Sequence, residues 1–195
     1  SKKTLVSIFV NPTQFNNKKD FKRYPRNYKK DLTILKKLNV DFVFLPKNEE
    51  IYHIKRSIKI KIKKKHQILC AKFRKGHFEG VIDIMDRLTN LINPNKIFMG
   101  EKDYQQIFLV QKYLKKKYAS KIIKCKTIRD KNKIAFSSRN QLLTKTSFVK
   151  AGKLISSLMN FKKEFIKNKG INLVIVGPEK PLVDGLVDFL ENNGI

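Results

Sequence analysis

The sequence has few cysteines and no long apolar run, and these absences count against several classes of protein. Its 195 residues include only Cys70 and Cys125, which lie far apart and belong to no CxxC pair. We therefore expect neither a disulfide framework nor a zinc finger, and we expect a reducing, cytoplasmic environment. No apolar run reaches the ~18–20 residues that span a bilayer, and no signal-peptide pattern stands at the N-terminus. The sequence thus predicts no membrane association.

Common nucleotide-binding and metal-binding signatures are also missing. The sequence contains neither GxxxxGK[ST] nor GxGxxG, so it lacks the phosphate-binding loops of Walker-type and dinucleotide-binding folds. His53, His66 and His77 show no HxxH or HExxH spacing. We therefore expect no metal held by protein side chains.

Acidic residues are scarce, and the resulting charge is the most unusual feature of the composition. There are 44 Lys and Arg against 16 Asp and Glu, a net charge of +28. Because clustered cations neutralise phosphates, one interpretation is a basic nucleic-acid-binding module. However, only 7 of the cations are Arg, the residue best suited to bidentate phosphate contact. Lys, Ile and Asn are encoded by A/T-rich codons and fill 75 positions, so compositional drift explains the charge without a nucleic-acid partner.

Hydrophobic periodicity predicts alternating strands and helices, which is typical of an α/β protein. Apolar runs predict strands at residues 5–10, 40–45, 97–99 and 122–128. Helical spacing predicts helices at 27–38, 81–92, 104–118 and 146–169, with Gly170 as the last C-cap. The first strand, helix and strand form a βαβ unit with parallel pairing. Alternating Ile and Lys over 57–63 predict a half-exposed strand, whose lysine face is either a solvated surface or an anion groove.

Three polar clusters follow predicted strands, where ligands bind in open α/β sheets. Residues 11–15 offer two amides to a hydroxylated substrate, although Asn-Pro is also a turn signal. In residues 100–103, Gly lets a ligand approach, Lys102 supplies a cation, and Asp103 either accepts from ribose hydroxyls or caps the next helix. Residues 137–140 offer two hydroxyls and an Arg to a polyphosphate, or form a polar loop.

Together these clusters resemble the pantoate–β-alanine ligases, also called pantothenate synthetases. The similar stretches are VSIFVNPTQF at 6–15, YPR at 24–26 with Asp31, LCAKFRKGHF at 69–78, GEKDYQQ at 100–106, and Arg129 leading to SSRN at 137–140. Each stretch is short, but all stand in the order and spacing of the family across residues 4–144.

The resemblance implies a Rossmann-like parallel sheet of the nucleotidyltransferase type. It also implies ATP-dependent condensation of pantoate with β-alanine through pantoyl adenylate, giving pantothenate for the coenzyme A pathway, AMP and pyrophosphate. Mg²⁺ would sit on the phosphates, and the enzyme would be a homodimer. The implied catalytic residues are Lys102, Ser137, Ser138 and Arg139. The implied pantoate site is Gln14, Gln106, Asn11, Tyr24, Arg74 and His77. The implied ATP site is Gly100, Glu101, Lys102, Asp103, Ile128, Phe136, Ser137, Ser138 and Arg139.

The sequence departs from the family pattern at several points. It has no counterpart of the family's opening strand and helix with a His-x-Gly-His motif, so we expect the sheet to be incomplete at both ends. Lys75 stands where the family has Pro, and Asn132 and Lys133 stand where it has Gly. We assign residues 1–143 to a domain that binds nucleotide and pantoate, and 144–170 to the start of a small C-terminal domain.

Residues 171–195 form a predicted strand–loop–helix segment of different origin. They carry one lysine and four carboxylates, unlike the basic remainder of the chain. The stretches LVIVGPE at 173–179 and PLVDGLVD at 181–188 resemble the N-terminal domain of phosphoribosylamine–glycine ligase. The alternatives to an active pantoate ligase are therefore an inactive fragment or a fusion to a purine-biosynthesis ligase, besides the nucleic-acid-binding module.

Overall fold

Four short strands, paired in parallel, and seven helices make up the regular structure in a computed structural model that describes residues 2–53 and 60–169. The strands are β1 (Leu5–Ser7), β2 (Phe42–Phe44), β3 (Lys96–Gly100) and β4 (Lys121–Cys125). The helices are α1 (Lys18–Arg23), α2 (Tyr28–Lys37), α3 (Asn48–Tyr52), α4 (Cys70–Phe73), α5 (His77–Ile92), α6 (Tyr104–Leu114) and α7 (Lys145–Lys169).

The chain divides into two units. Among the described residues, the first unit comprises 2–53, 60–66 and 74–125, and the second comprises 67–73 and 126–169. All four strands belong to the first unit, where β1 pairs with β2 and β3 pairs with β4. Both pairs are parallel, with Leu5 opposite Phe42 and Lys96 opposite Lys121. The predicted α/β class and parallel pairing are therefore confirmed, although the described strands form two separate two-stranded sheets.

The core of the first unit lies where α5 packs on α6. Val81 of α5 is 2% exposed, and Ile107, Val110 and Leu114 of α6 are at most 1% exposed. Burying such side chains stabilises the fold by about 1.5–3 kcal/mol each. This pair of helices therefore forms a stable base for the segments that follow β1 and β3.

An ion pair lies beside this core. Asp86 of α5 is fully buried, and its two carboxylate oxygens accept from Nζ of Lys117 at 3.1 and 3.0 Å. The hydroxyl of Tyr118 donates to the backbone carbonyl oxygen of Asp86 at 3.1 Å. The hydrogen bond to Asp86 raises the pKa of the Lys117 ammonium. A buried carboxylate needs such a partner, since an unpaired one is costly.

Asp41 joins the beginnings of β1 and β2. Its carboxylate accepts from the backbone N–H and the hydroxyl of Thr4, both at 2.8 Å, and from Nζ of Lys3 at 2.9 Å. The Thr4 backbone bond and the neighbouring Lys3 hold the pKa of the Asp41 carboxyl well below its usual range. The ionised form of Asp41 therefore favours the folded state.

In the second unit, a turn at residues 129–135 precedes α7. Arg129 and Ala135 form an antiparallel bridge, and the carboxylate of Asp130 accepts from the backbone N–H of Ile134 at 2.8 Å. Lys133 adopts a left-handed backbone with φ of +65°, a conformation that favours Gly. The hydroxyl of Thr144 accepts from the backbone N–H of Ser147 at 3.1 Å and so begins α7.

Several predicted boundaries were wrong. The strand predicted at 57–63 is not present over residues 60–63, where Ile62 is buried and a 3₁₀ turn follows at Lys64–His66; residues 57–59 lie outside the described residues. Helix α5 begins at His77, four residues before its predicted start, because Gly76 at φ of +78° permits the sharp entry. Helix α6 ends at Leu114, before its predicted end at residue 118, because Lys116 and Lys117 donate to carbonyl oxygens only three residues back, those of Tyr113 and Leu114.

The other predicted elements match more closely, except for the surface of α2. This helix has the predicted bounds within one residue, but Leu32 is 38% and Leu38 is 68% exposed. A sheet of two three-residue strands offers too little surface to cover the apolar stripe.

Gly170 and the elements predicted at 172–193 lie outside the described residues. Within 2–53 and 60–169, no helix is both long and apolar enough to cross a bilayer.

Candidate functional site

Asn11 builds the turn that follows β1. Its side-chain oxygen accepts from the backbone N–H of Thr13 at 3.2 Å and from the Thr13 hydroxyl at 3.0 Å. Its Nδ2 donates to the carbonyl oxygen of Gly80 in α5 at 3.1 Å, and the residue is only 1% exposed. Both ends of the amide are thus engaged inside the protein. Asn11 therefore supports the 3₁₀ turn Pro12–Gln14, which carries the predicted ligand Gln14.

Gly80 allows α5 to lie against this turn. A Cβ placed on Gly80 would stand 2.6 Å from the carbonyl oxygen of Thr13, a distance that real Cβ contacts do not reach. Gly in a helix interior costs about 1 kcal/mol relative to Ala. Here the close approach explains why glycine occupies the position.

Tyr52, at the end of α3, contacts the same turn from another side. Its hydroxyl donates to Oδ1 of Asn11 at 2.7 Å and lies 3.2 Å from the hydroxyl of Thr13. Burial raises the pKa of the Tyr52 phenol, so the hydroxyl keeps its proton near neutral pH. The guanidinium of Arg87 lies 4.7 Å from the centre of the Tyr52 ring, within the range of a cation–π contact.

His77, the first residue of α5, holds Gln14. Its Nδ1 lies 2.6 Å from the backbone carbonyl oxygen of Gln14, and the residue is 6% exposed. Because a carbonyl can only accept, Nδ1 carries the proton and donates it. The sequence left His77 open between ligand contact and a structural role; this bond gives His77 a contact with the turn, and its contact with a ligand stays a prediction.

Tyr24 and Arg74 are placed near the same segment. The ring of Tyr24 meets the ring of Phe15 edge-on at 5.6 Å, and Phe15 meets Phe21 edge-on at 5.3 Å. Arg74 is exposed, and its backbone carbonyl oxygen accepts from the N–H of His77 at 3.1 Å. Tyr24 thus packs against the residue after Gln14, and Arg74 presents its guanidinium to solvent just before α5.

The second cluster lies where β3 ends. Gly100 is the last residue of β3, Glu101–Asp103 forms a 3₁₀ turn, and α6 starts at Tyr104. Asp103 stands at the N-cap position of α6 without a capping bond from its side chain. Within the described part of the chain, a Cβ on Gly100 would meet nothing within 4 Å. Lys102 and Asp103 are exposed, so both side chains can reach a ligand above the open backbone.

Gln14 and Gln106 each present a carboxamide in the first unit. Both residues are half-buried. Among residues 2–53 and 60–169, neither carboxamide has a hydrogen-bond partner, although each can donate and accept. A ligand that carries both hydroxyl and carboxylate groups would satisfy them.

The third cluster belongs to the second unit. Ser137 accepts at its hydroxyl from the backbone N–H of Arg139 at 3.3 Å and begins the 3₁₀ turn Ser138–Leu142. The serines are half-buried and Arg139 is exposed. The N–H of Phe136 donates to the carbonyl oxygen of Ile128 at 3.1 Å, and both side chains are more than 60% exposed. A built turn thus presents one cation and two exposed apolar side chains.

Metal ligands do not gather in the described residues. No group of three or more His, Cys, Asp or Glu side chains that could hold a metal ion is found there.

The supports of the turn at residues 11–14 were missed in the sequence. Tyr52 and Arg87 give no local signal, because their contacts join segments that are far apart in the chain. Gly80 was missed as well, because the helix predicted at 81–92 starts one residue after it, whereas the observed α5 starts at His77.

Three comparisons place the chain among known proteins. A family profile described as pantoate-beta-alanine ligase matches residues 1–180. A pantothenate synthetase of Legionella pneumophila (strain Corby) is 44% identical over 142 residues, 72% of this chain and 56% of that protein. A pantothenate synthetase of Endomicrobium trichonymphae is 34% identical over 192 residues, 96% of this chain and 68% of that protein.

A solved structure agrees with these matches. The crystal structure of a pantoate-beta-alanine ligase from Francisella tularensis, complexed with beta-gamma ATP and beta-alanine, superposes with a TM-score of 0.74 and 40% identity. The superposition covers 78% of this chain and 59% of that one. The chain thus spans little more than half the length of the Legionella and Francisella proteins.

Proposed function

The chain belongs to the pantoate–β-alanine ligase family, and from that membership we propose that it catalyses the ATP-dependent condensation of pantoate with β-alanine. The observation that carries the proposal is the placement of the family's motif residues. Gln14 stands on a turn after β1, and Lys102 and Gln106 stand after β3, in one unit of parallel strands. Ligands of open α/β sheets bind beyond these strand ends.

The first step would form an acyl adenylate. A carboxylate oxygen of pantoate attacks the α-phosphorus of ATP, and the bond from that phosphorus to the pyrophosphate oxygen breaks. Pantoyl adenylate and pyrophosphate result. This step needs orientation of two anions and stabilisation of developing charge, and no protein nucleophile is required.

The second step would form the amide. The uncharged amine of β-alanine attacks the acyl carbon, the bond to the AMP oxygen breaks, and the amine proton leaves to solvent. Pantothenate and AMP result. The Francisella structure, with a nucleotide and β-alanine together, supports the use of both ligands by this chain.

The side chains of the first unit would divide these tasks. Gln14 and Gln106 would hydrogen-bond the hydroxyl and carboxylate groups of pantoate, and the buried support at Asn11 and His77 would keep Gln14 in place. Lys102 would neutralise phosphate charge and Asp103 would accept from the ribose. The open backbone at Gly100 supports such an approach.

The second unit would contribute its own turn. Ser137, Ser138 and Arg139 would bind the triphosphate through hydroxyls and a guanidinium, and Ile128 and Phe136 would contact adenine. Mg²⁺ would be bound by the phosphates of ATP, because Mg²⁺ in such sites takes many of its ligands from substrate phosphates and water. A homodimer in the cytoplasm completes the proposal. The matches described above give no support to a nucleic-acid-binding module.

Pantoate-dependent exchange of labelled pyrophosphate into ATP tests the proposal, because exchange requires only the first step. Replacing Gln106 with Ala should lower the exchange rate by about 10-fold or more, the cost of one hydrogen bond to a charged group. Gln111 lies on the same helix with an exposed side chain, so Gln111→Ala is the matched control and should exchange normally. Absence of both exchange and pantoate binding in the unaltered chain would overturn the proposal.

A further inference from the structure

We propose that Tyr52 is a positioning residue for pantoate recognition, acting on Gln14 through the side chain of Asn11. The inference rests on the proposed function, since it assigns Gln14 to pantoate. Tyr52 is about forty residues along the chain from Asn11, yet its hydroxyl donates to the Asn11 Oδ1 atom at 2.7 Å. This is the shortest hydrogen bond that Asn11 makes.

The Asn11 side chain transmits this contact to the turn. The same Oδ1 atom accepts from the backbone N–H and hydroxyl of Thr13 at 3.2 and 3.0 Å. Thr13 directly precedes Gln14 within one 3₁₀ turn. A rotation of the Asn11 amide would therefore release the Thr13 N–H and change the direction in which Gln14 leaves the turn.

Tyr52 is itself held in one place. The guanidinium of Arg87 lies over its ring at 4.7 Å, donates from Nη1 to the carbonyl oxygen of Ile51 at 2.9 Å, and pairs through Nε with Asp83 at 3.0 Å. Helix α5 thus fixes the end of α3. A hydroxyl on a ring held by these contacts loses less conformational freedom on bonding to Asn11 than a hydroxyl on a free side chain.

The three supports of the turn have separate roles. Gly80 provides room and a carbonyl for Asn11 Nδ2, and His77 holds the backbone of Gln14 itself. Tyr52 holds the rotation of the Asn11 amide, because its hydroxyl donates to the same Oδ1 atom that accepts from the Thr13 backbone N–H. That N–H can only donate, so turning the amide nitrogen toward it would bring two donors together.

Tyr52→Phe tests the inference on the whole chain, because it removes the hydroxyl and keeps the ring under Arg87. Tyr28→Phe is the control, since Tyr28 is 44% exposed on α2. Two quantities are measured: the hydrogen-exchange rate of the Thr13 amide without ligand, and the dissociation constant for pantoate. We expect Tyr52→Phe to raise both by about 5- to 10-fold, the range for one lost hydrogen bond, and Tyr28→Phe to change neither.

Each result decides the question. Unchanged pantoate affinity in Tyr52→Phe overturns the positioning role, whatever the exchange rate shows. If the unaltered chain itself fails to bind pantoate, the proposed function fails, and the Thr13 exchange rate alone decides whether Tyr52 holds the turn. Arg87→Met provides a second variant that keeps the Tyr52 hydroxyl. It should also weaken pantoate binding, by a smaller factor. Unchanged pantoate affinity in Arg87→Met would count against the role of Arg87 in holding Tyr52.

Discussion

Nδ1 of His77 lies 2.6 Å from the backbone carbonyl oxygen of Gln14, so the first residue of α5 donates a hydrogen bond to the residue that faces the candidate site. The contact joins residues separated by more than sixty positions in the chain. It is also largely buried, since His77 is 6% exposed. A bond of this kind couples the start of a core helix to a recognition turn.

Replacing His77 with Ala should therefore weaken pantoate binding by about 10-fold and destabilise the fold by about 1–3 kcal/mol, because a partly buried carbonyl loses its donor. Isothermal titration and thermal unfolding measure the two effects. His53 is the matched control: its Nδ1 also lies near a backbone carbonyl oxygen, that of Glu50 at 2.8 Å, but the residue is exposed. Equal effects in His53→Ala would contradict the assignment.

Gly80→Ala should destabilise the first unit by about 1–3 kcal/mol, the usual cost of overpacking. The added methyl group would meet the carbonyl oxygen of Thr13 at 2.6 Å, so either the turn or α5 must shift. Gly100→Ala is the control, because its methyl group meets no described atom within 4 Å and its φ is −73°. Chemical denaturation compares the two, and a Gly80→Ala protein as stable as the unaltered chain would refute the prediction.

Lys133→Gly should stabilise the second unit. Lys133 has φ of +65°, a conformation that costs a non-glycine residue about 1–2 kcal/mol, partly offset by the greater flexibility of glycine in the unfolded chain. We expect a net gain of about 0.5–1 kcal/mol, measured as a higher midpoint of thermal unfolding. Lys131→Gly, in the same turn without a positive φ, should give no gain.

The stability that Asp41 contributes should depend on pH in the acid range. Its pKa is lowered in the folded state, so its contribution is present above the unfolded value of about 4 and declines as the pH falls below it. Asp41→Asn should therefore unfold more easily than the unaltered chain at pH 7, and the difference should shrink steadily below pH 4. Parallel denaturation curves from pH 7 to pH 2 measure it. A difference that grows on acidification would contradict the sign.

Local patterns predicted much of the fold. Helical spacing located α2 within one residue, because the periodic pattern is contained in a dozen positions. The apolar runs located all four strands. Three runs were longer than the paired strand, since apolar residues continue past the last paired position, whereas β3 extends one residue beyond its run at each end. The alternation at 57–63 was misleading, because residues 60–63 bury Ile62 without strand pairing.

The motifs of the candidate site could be predicted from the sequence, but the residues that support the turn at residues 11–14 from other segments could not. Residues 11–15 and 100–103 follow strands, and strand ends can be found from the sequence. The bonds from Tyr52 and His77 to the first turn join segments 41 and 63 residues apart. Such contacts depend on how α3 and α5 pack against the turn, and the periodicity of the sequence does not predict that packing. The left-handed backbone of Lys133 could be predicted in part, since the family that the sequence resembles has Gly at this point.

Within residues 2–53 and 60–169, β1 pairs with β2 alone and β3 pairs with β4 alone, and this has a consequence for how the protein is made. In each pair the partners are the next strands along the chain, joined through intervening helices, with Leu5 opposite Phe42 and Lys96 opposite Lys121. A chain leaving the ribosome can therefore complete the first pair before the second has been synthesised. Paired residues lie 37 and 25 positions apart in the two pairs, and the entropic cost of closing a loop grows only slowly with its length. In this unit the order in which the strands are synthesised therefore matches the order in which they can pair.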